Sequence, residues 1–276
     1  MAGRRVAAAL SVALAVLIAV VMLFPLFWML ASSLKTPQEL QASPPVWLPA
    51  APSLEAYEEA FRVVDYARAF LNSLLIAGGT TLGILLTSLM AGYVFAKHRF
   101  RGRDFLFNLV LATMFLPPIV TLVPLFRIVE SLGLVDTYLG AMLPYLANAF
   151  GIFLMRQFIA GIPNELLESA RIDGASEWTI LWRVVAPLLG PAIASLLVFA
   201  FVFHWNSFLW PLTVLQSERM HTVVLALNRL VSYTSAVRFQ NVVMAGAAVA
   251  IVPSVVLFLL LQRFFIAGVA TTGVKG

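Results

Sequence analysis

The sequence predicts an all-α integral membrane protein with six transmembrane helices and with both termini in the cytoplasm. Of its 276 residues, 61% are hydrophobic and 11% are charged, whereas about 25% of the residues of a soluble domain are charged. One soluble core of this size cannot bury that much apolar surface. Six apolar segments are each about as long as the helix of roughly 20 residues that crosses a bilayer. Lys and Arg are concentrated between alternate segments.

The six apolar segments contain no Asp, Glu, Lys or Arg. They are 6–31, 70–95, 105–126, 139–155, 188–209 and 242–261. The first follows Arg4 and Arg5, as the apolar part of a signal peptide would, but its apolar run is too long for one. It is therefore predicted to be a span. No long polar linker divides the chain, so residues 1–276 are predicted to form one domain.

The basic residues predict the orientation. With the N-terminus inside, the inner segments carry 11 Lys and Arg and the outer segments carry 7, and the densest run, 97–103, lies inside. Positive residues favour the cytoplasmic side of a membrane. The formal net charge of +5 comes from short runs beside spans, which suit anionic lipid headgroups better than nucleic acid.

The first outer loop, 32–69, is predicted to hold a short amphipathic helix on the membrane surface. Its apolar residues recur at helical spacing: Tyr57, Ala60, Phe61 and Val64. Two interpretations remain open for this helix. It either packs and joins spans, or it is a docking surface for an external partner.

The chain lacks the motifs of an enzyme. Gly78 and Gly83 have the glycine spacing of a phosphate-binding loop, but Ile84 replaces the lysine that such a loop needs. The chain has no cysteine and only three scattered histidines, so a metal site has no support. We expect neither ATP hydrolysis by this chain alone nor a resident cofactor.

The spans carry neutral polar side chains that suit a hydroxylated solute. All 13 acidic residues lie outside the spans, whereas an ion-coupled carrier keeps an ionisable group near the midplane. The predicted solute path is lined by Asn148, His204, Trp205 and Asn206. Sugars stack on aromatic rings and bond to amides. The alternatives are hydrogen bonds between helices for these polar groups and an interfacial position for nearby Trp210.

The loop between the fourth and fifth spans, 160–187, is predicted to form two short cytoplasmic helices, and we call it the 160–187 loop. Asn164 is expected to cap the first helix, and Glu168 to pair with Arg171. Gly174 is expected to end that helix in a left-handed conformation. Ser176 is expected to cap the second helix.

The second helix is predicted to carry one apolar stripe, which comprises Trp178, Leu181, Trp182 and Val185. A break is expected at Pro187, where the fifth span begins. Small residues around the turn, Ala170 and Ala175 among them, would let another protein approach closely.

This loop resembles the E-A-A-x-x-x-G-x9-I-x-L-P signature of binding-protein-dependent ABC importer permeases. Glu168-Ser169-Ala170 stands for E-A-A, Gly174 is at the glycine position, and Val184-x-Ala186-Pro187 completes the pattern. The Asp173-Gly174-Ala175 triplet is also typical. Three further stretches resemble the carbohydrate-uptake branch of the maltose-transporter type: Asn72-Ser73-Leu74, the run 205–211 and the tail 262–276.

The resemblance implies a type I ABC importer permease fold with a coupling helix at 168–174. The residues that it places against an ATPase subunit are Glu168, Ser169, Ala170, Asp173, Gly174 and Ala175. It also implies that the tail residues Lys275 and Gly276 reach the interface of the two ATPase subunits. The last outer loop, 216–240, would enter the sugar-binding protein and help to eject its ligand.

The resemblance implies partners as well. They are a second six-span permease, two ATP-binding subunits that hold ATP and Mg, an extracytoplasmic sugar-binding protein and membrane lipid, in a bacterial or archaeal cell membrane. The function predicted is import of a sugar or sugar derivative. Two alternatives remain open: a permease for an amino acid, peptide or oxyanion, and a stand-alone secondary carrier.

Overall fold

The computed structural model describes residues 2–233 and 240–272, and every regular element in this part of the chain is helical. The helices are α1 (Ala2–Ser33), α2 (Pro37–Leu40), α3 (Glu55–Val63), α4 (Tyr66–Lys97), α5 (Arg103–Ala112), α6 (Pro118–Ser131), α7 (Tyr138–Met142), α8 (Ala149–Ala160), α9 (Asn164–Ile172), α10 (Glu177–Thr179), α11 (Ala186–Leu188), α12 (Gly190–Trp205), α13 (Leu209–Val214), α14 (Val223–Tyr233) and α15 (Gln240–Thr272). A π-helical turn, Ile180–Val185, joins α10 to α11.

The chain divides into two compact units. One is drawn from Met1–Ala67 and Ala226–Val252, and the other from Arg68–Leu225 and Pro253–Gly276. In the first unit, α3 is the predicted amphipathic helix. It buries Ala56 and Ala60, and Tyr57 shares a hydrogen bond of 2.8 Å with Ser33 at the end of α1. Phe61, which was assigned to the same apolar face, is exposed.

Buried Lys35 connects the segments that follow α1 in the first unit. Its Nζ donates to the Val46 carbonyl at 2.7 Å and lies 4.0 Å from the centre of the Trp28 ring. Its own carbonyl accepts from Asn241 Nδ2 at 3.1 Å. A buried ammonium needs such compensation, because it has lost its water.

Among the described residues, three helices, α1, α4 and α15, are long and apolar enough to cross a membrane. Three bent pairs also qualify, which gives up to six spans if each pair crosses once. The pairs are Arg103–Phe115 with Pro118–Ser131, bent by 106°, Tyr138–Tyr145 with Ala149–Ala160, bent by 47°, and Glu177–Leu188 with Gly190–Trp205, bent by 85°.

Two of the bends lie inside predicted spans, at 105–126 and 139–155. Pro117 and Pro118 stand at the first bend, and Pro144 precedes the second. Proline lacks an N–H and disfavours helical geometry in the residue before it. The break that was expected at Pro187 lies just beyond it, where Leu189 separates α11 from α12.

The core of the second unit lies where α4 and α8 pack closely. Leu89, Met155 and Ile159 are among its fully buried side chains. A Cβ on Gly92 would lie 2.7 Å from the Met155 Cβ and 2.9 Å from the Arg156 backbone nitrogen. Only glycine allows two helices this near to each other. The core therefore depends on Gly92.

Replacing Gly92 with alanine is expected to cost about 1–3 kcal/mol of stability, the usual range for overpacking. The new Cβ would meet backbone that cannot move aside. Thermal unfolding of the detergent-solubilised chain measures the effect. Gly78→Ala is the matched control. Gly78 is in the same helix, and nothing lies within 4 Å of a Cβ added to it. Equal midpoints for the two variants would contradict the close approach.

Candidate functional site

The first helix of the 160–187 loop, α9, begins one residue earlier than the sequence suggests. Pro163 occupies the cap position, and Asn164 is already helical. The predicted cap at Asn164 is therefore wrong. Its Oδ1 instead accepts from Nζ of Lys97 at 2.8 Å, and the same Nζ donates to the Ile162 carbonyl. The amide is thus used to attach the start of α9 to the end of α4.

The turn after α9 confirms the left-handed glycine. Gly174 has φ +80°. Its N–H donates to the Arg171 carbonyl at 3.0 Å, and the N–H of Ala175 donates to the Ala170 carbonyl at 2.9 Å. These two bonds define the Schellman motif, which satisfies carbonyls that the helix end leaves free. The turn therefore has one backbone geometry.

The second helix begins as predicted at Ser176, whose Oγ accepts from the Thr179 N–H at 3.2 Å. The predicted apolar stripe is only partly right. Leu181 and Val185 are buried, together with Ile180, but the Trp178 side chain is 60% exposed. The π-helical turn that starts at Ile180 changes the spacing at which side chains face the core.

The predicted pair between Glu168 and Arg171 is wrong. Arg171 instead pairs with Glu177, whose Oε1 accepts from Nε at 2.7 Å and whose Oε2 accepts from Nη2 at 3.3 Å. Glu168 is exposed and makes no ion pair within the described residues. Its carboxylate is free to meet another protein.

The six residues assigned to ATPase coupling divide into two groups. Glu168, Ser169, Asp173 and Gly174 are exposed, whereas Ala170 and Ala175 pack against the core. Ile172 lies beside the exposed group and is itself 86% exposed. The exposed group therefore combines charged side chains with an apolar one. The predicted tail contacts, Lys275 and Gly276, lie outside the described residues.

Two of the four residues assigned to the solute path share a cavity of about 310 Å³. The cavity is lined by Asn148, Phe150, Leu196, Phe199, Ala200, Phe203 and His204. Asn148 caps α8, because its Oδ1 accepts from the Gly151 N–H at 2.8 Å. The centre of the His204 ring lies 5.2 Å from that of the Phe203 ring and 5.1 Å from that of the Tyr145 ring.

The other two path residues do not line this cavity. Trp205 is 1% exposed and stacks on Phe201 at 5.5 Å, with the edge of Phe70 at 5.4 Å. Asn206 is exposed at the end of α12, and its Nδ2 donates to the Val202 carbonyl of the same helix. Trp210, considered as an interfacial residue, is buried and donates to the Ala141 carbonyl at 3.1 Å.

The cavity also has aromatic walls that the sequence interpretation missed. Phe199 and Phe203 are four residues apart on α12 and project into the same space as His204. Spacing by four places side chains on one helix face. That spacing was the available signal, but it is as common on lipid-facing helices as beside a cavity.

Buried polar groups fix the segment between α13 and α14, residues 215–222. Asn72 is 2% exposed. Its Nδ2 donates to the carbonyls of Arg219 and His221 at 2.8 and 2.9 Å, and its Oδ1 accepts from Tyr138 at 2.7 Å. Ser73 accepts from the Val223 N–H at 2.8 Å. These bonds give Asn72-Ser73 a structural role at the start of α4.

Asp136 holds the same segment from another side. Its Oδ1 accepts from the N–H groups of Gln216 and Ser217 at 2.9 and 3.0 Å. Partial burial raises the pKa of Asp136, but the hydrogen bonds from Ser217 and Gln216 outweigh it, so the pKa lies below its ordinary value. Nowhere in the described residues do three His, Asp or Glu side chains gather as a metal site.

A protein-family model described as "Binding-protein-dependent transport system inner membrane component" matches residues 79–271. Arabinooligosaccharides transport system permease protein AraQ of Bacillus subtilis is 38% identical over 260 residues, which are 92% of this chain and 91% of that protein. The sn-glycerol-3-phosphate transport system permease protein UgpE of Brucella suis is 34% identical over 260 residues, which are 92% of each chain.

Two solved structures have similar folds. A chain of a bacterial ABC transporter involved in the import of the acidic polysaccharide alginate has a TM-score of 0.81 at 24% identity, covering 95% of this chain and 97% of that chain. A chain of a bacterial alginate ABC transporter in complex with alginate pentasaccharide-bound periplasmic protein has a TM-score of 0.67 at 18% identity, covering 94% of each.

The Asp136 carboxylate is expected to hold the 215–222 segment at neutral pH and to release it in acid. A group whose folded pKa is lowered contributes stability above its ordinary pKa of about 3.9, and the contribution is lost as the pH falls through the folded value. A nitroxide on Gln216→Cys, in a chain that has no other cysteine, should therefore gain mobility in acid.

Asp136→Asn is the matched control for this titration. The amide oxygen can still accept both N–H bonds and does not titrate, so the nitroxide should show the same mobility at neutral pH and no acid transition. An identical transition in both chains would assign it to another group.

Proposed function

The chain belongs to the family of binding-protein-dependent transport system inner membrane components, and we propose that it is a permease subunit of an ABC importer for a sugar or sugar derivative. The coupling of this chain to an ATPase subunit is inferred from the surface of the 160–187 loop. There, a stiff helix–turn–helix exposes Glu168, Asp173 and the apolar Ile172 together. Such a surface suits a partner that supplies energy, because the chain has no phosphate-binding loop of its own.

The proposed topology has six spans with both termini in the cytoplasm of a bacterium. Each bent pair would cross once, and the basic run 97–103 would lie inside. The 160–187 loop then faces the cytoplasm as well, and the 215–222 segment faces outward. ATP and Mg would be bound by two partner subunits, beside a second permease chain.

Two observations support the proposed solute class. The relatives' names specify arabinooligosaccharides and sn-glycerol-3-phosphate transport. The first solute carries many hydroxyl groups, and the second carries two beside its phosphate group. The cavity beside His204 combines neutral polar groups with aromatic walls, which suits a solute with an apolar face and hydroxyl edges. An extracytoplasmic binding protein would deliver that solute.

In the proposed cycle, ATP closes the two partner subunits and moves the exposed surface of α9. The spans then exchange an inward-open for an outward-open arrangement, which is a rigid-body switch. The switch is driven by the different affinity of ATP for the two states. In this chain, Glu168 and Asp173 supply charged contacts, and Gly174 permits close approach.

The assembled transporter in vesicles tests the function. Uptake of a labelled sugar should require the binding protein and ATP, and ligand binding by the binding protein should identify the solute. Uptake by this chain alone without ATP would instead establish a secondary carrier. High-affinity binding of only amino acids, peptides or oxyanions would reject the sugar assignment but retain the importer.

Gly174→Asp is expected to uncouple ATP hydrolysis from uptake. The new carboxylate would occupy the surface that meets the ATPase, and uptake should fall on the order of tenfold, within the usual range of coupling energies. The chain should still insert, because Asp tolerates positive φ at a modest cost. Parallel assays of ATPase activity and uptake in vesicles make the measurement.

Gly133→Asp is the matched control for this variant. Gly133 also has a positive φ, +66°, with nothing within 4 Å of an added Cβ, so the backbone strain is similar away from the 160–187 loop. Wild-type rates for Gly174→Asp would refute the coupling role.

His204→Phe is expected to slow uptake about tenfold, the effect of losing roughly 1.4 kcal/mol of solute hydrogen bonding. The substitution removes the polar group and keeps a ring in the cavity wall. Concentration-dependent uptake measures it. Ser195→Ala on α12 is the control, because within the described part of the chain that hydroxyl bonds only the Pro191 carbonyl of its own helix. Equal uptake by His204→Phe and the wild type would place the path elsewhere.

A further inference from the structure

The Glu177 carboxylate joins α4 to both helices of the 160–187 loop. Tyr93 donates its hydroxyl hydrogen bond to Oε2 of Glu177 at 2.6 Å, and Arg171 holds both carboxylate oxygens. His98 places its Nε2 at 3.3 Å from Oε2, and its ring meets the Tyr93 ring edge-on at 5.3 Å. We call these four residues the Glu177 junction.

The four residues come from different elements. Tyr93 is near the end of α4, and His98 directly follows that helix. Arg171 is in the last turn of α9, whereas Glu177 is the first residue of α10. Tyr93 and Glu177 are 84 residues apart in the sequence. The junction therefore connects a long span to the turn that carries Gly174.

The start of α9 is attached to α4 as well. Lys97, the last residue of α4, donates to the Asn164 side chain at 2.8 Å and to the Ile162 carbonyl. Between these two attachments, Leu167 of α9 is fully buried in the same core as Leu89 of α4. Helix α9 is thus fastened to α4 at both ends and packed on the core between them.

The Tyr93 bond differs from an ordinary surface contact. The Tyr93 side chain is buried, and a hydroxyl that donates to a carboxylate forms a short, charge-assisted bond. The exposed pair of Arg171 and Glu177 would count for little alone. Because Tyr93 and Arg171 share the carboxylate, each restricts the position in which the other can bind it.

We propose that Glu177 is a positioning residue that makes α9 and α4 move as one body. This inference rests on the proposed function, because it names how movement of the ATPase-facing helix reaches a span. A helix held only by packing could tilt in its place when pulled. Bonds at both ends instead transmit the displacement along the axis of α4.

The test uses Tyr93→Phe and Glu177→Gln in the assembled transporter with its binding protein. Tyr93→Phe keeps the buried ring and removes the hydroxyl, and Glu177→Gln keeps an acceptor and removes the charge that Arg171 needs. Both should increase the ATP hydrolysed per solute imported, on the order of fivefold. Co-purification of the ATPase subunits and thermal stability should stay close to wild type.

Glu130→Gln is the matched control, because its carboxylate pairs with Arg127 at 2.7 Å on α6, away from the loop. It should leave the ratio of ATP to solute unchanged. A purely structural role for the junction would lower assembly and both rates together. That result, or a wild-type ratio in both junction variants, would overturn the proposal.

A distance measurement tests directly whether α4 and α9 move as one body. The chain has no cysteine, so nitroxides on Val94→Cys and Leu166→Cys, at exposed sites on α4 and α9, report one distance. It should be the same with and without ATP and Mg in the otherwise unaltered transporter. With Tyr93→Phe added, the distance distribution should broaden or shift.

Failure of the one-body proposal can be distinguished from failure of the proposed function. A transporter that imports solute with ATP, but whose α4–α9 distance changes between states, would refute the single body and keep the proposed function. Absence of ATP-dependent uptake in the wild type would refute the proposed function. The junction would then be judged by the distance distribution of the solubilised chain, with and without Tyr93→Phe.

Discussion

The hydrocarbon layer offers no water to a backbone N–H or C=O, so a membrane protein must satisfy these groups within itself. Helices do this within each segment, which explains why every regular element of the described chain is helical. The constraint is hardest to meet where a span bends. Prolines stand at or near the bends of this chain, and a proline leaves one donor fewer to satisfy.

Carbonyls that a bend frees are met by polar side chains of neighbouring helices. The Thr87 hydroxyl of α4 donates to the Leu146 carbonyl, next to the break between α7 and α8, and the Trp210 indole donates to the Ala141 carbonyl. Asn72 serves two carbonyls of the segment after α13 in the same way. These three polar side chains therefore support the backbone and are not available to a solute. Asn148 and His204 are the predicted path residues that reach a cavity.

The 160–187 loop lies between apolar segments and not within one, so the constraint that the hydrocarbon layer places on the backbone does not apply to it. Its turn is set by local bonds around Gly174 and Ser176, and its charged side chains are divided between two tasks. Arg171 and Glu177 face each other and α4, whereas Glu168 and Asp173 remain exposed. A helix that is attached to α4 and exposes charged side chains suits the coupling role proposed for it.

Local and compositional features of the sequence determined the membrane class, the apolar segments, the left-handed turn at Gly174 and the cap at Ser176. These depend on residues within a few positions of each other, whose effect on the backbone is the same in any fold. The family signature also lies within one short stretch. Only the tertiary structure decided that Arg171 binds Glu177, that Trp205 is buried and that two of the predicted spans contain a bend. Those outcomes depend on which helices meet in space, since a side chain with several partners in reach takes the one that packing places nearest.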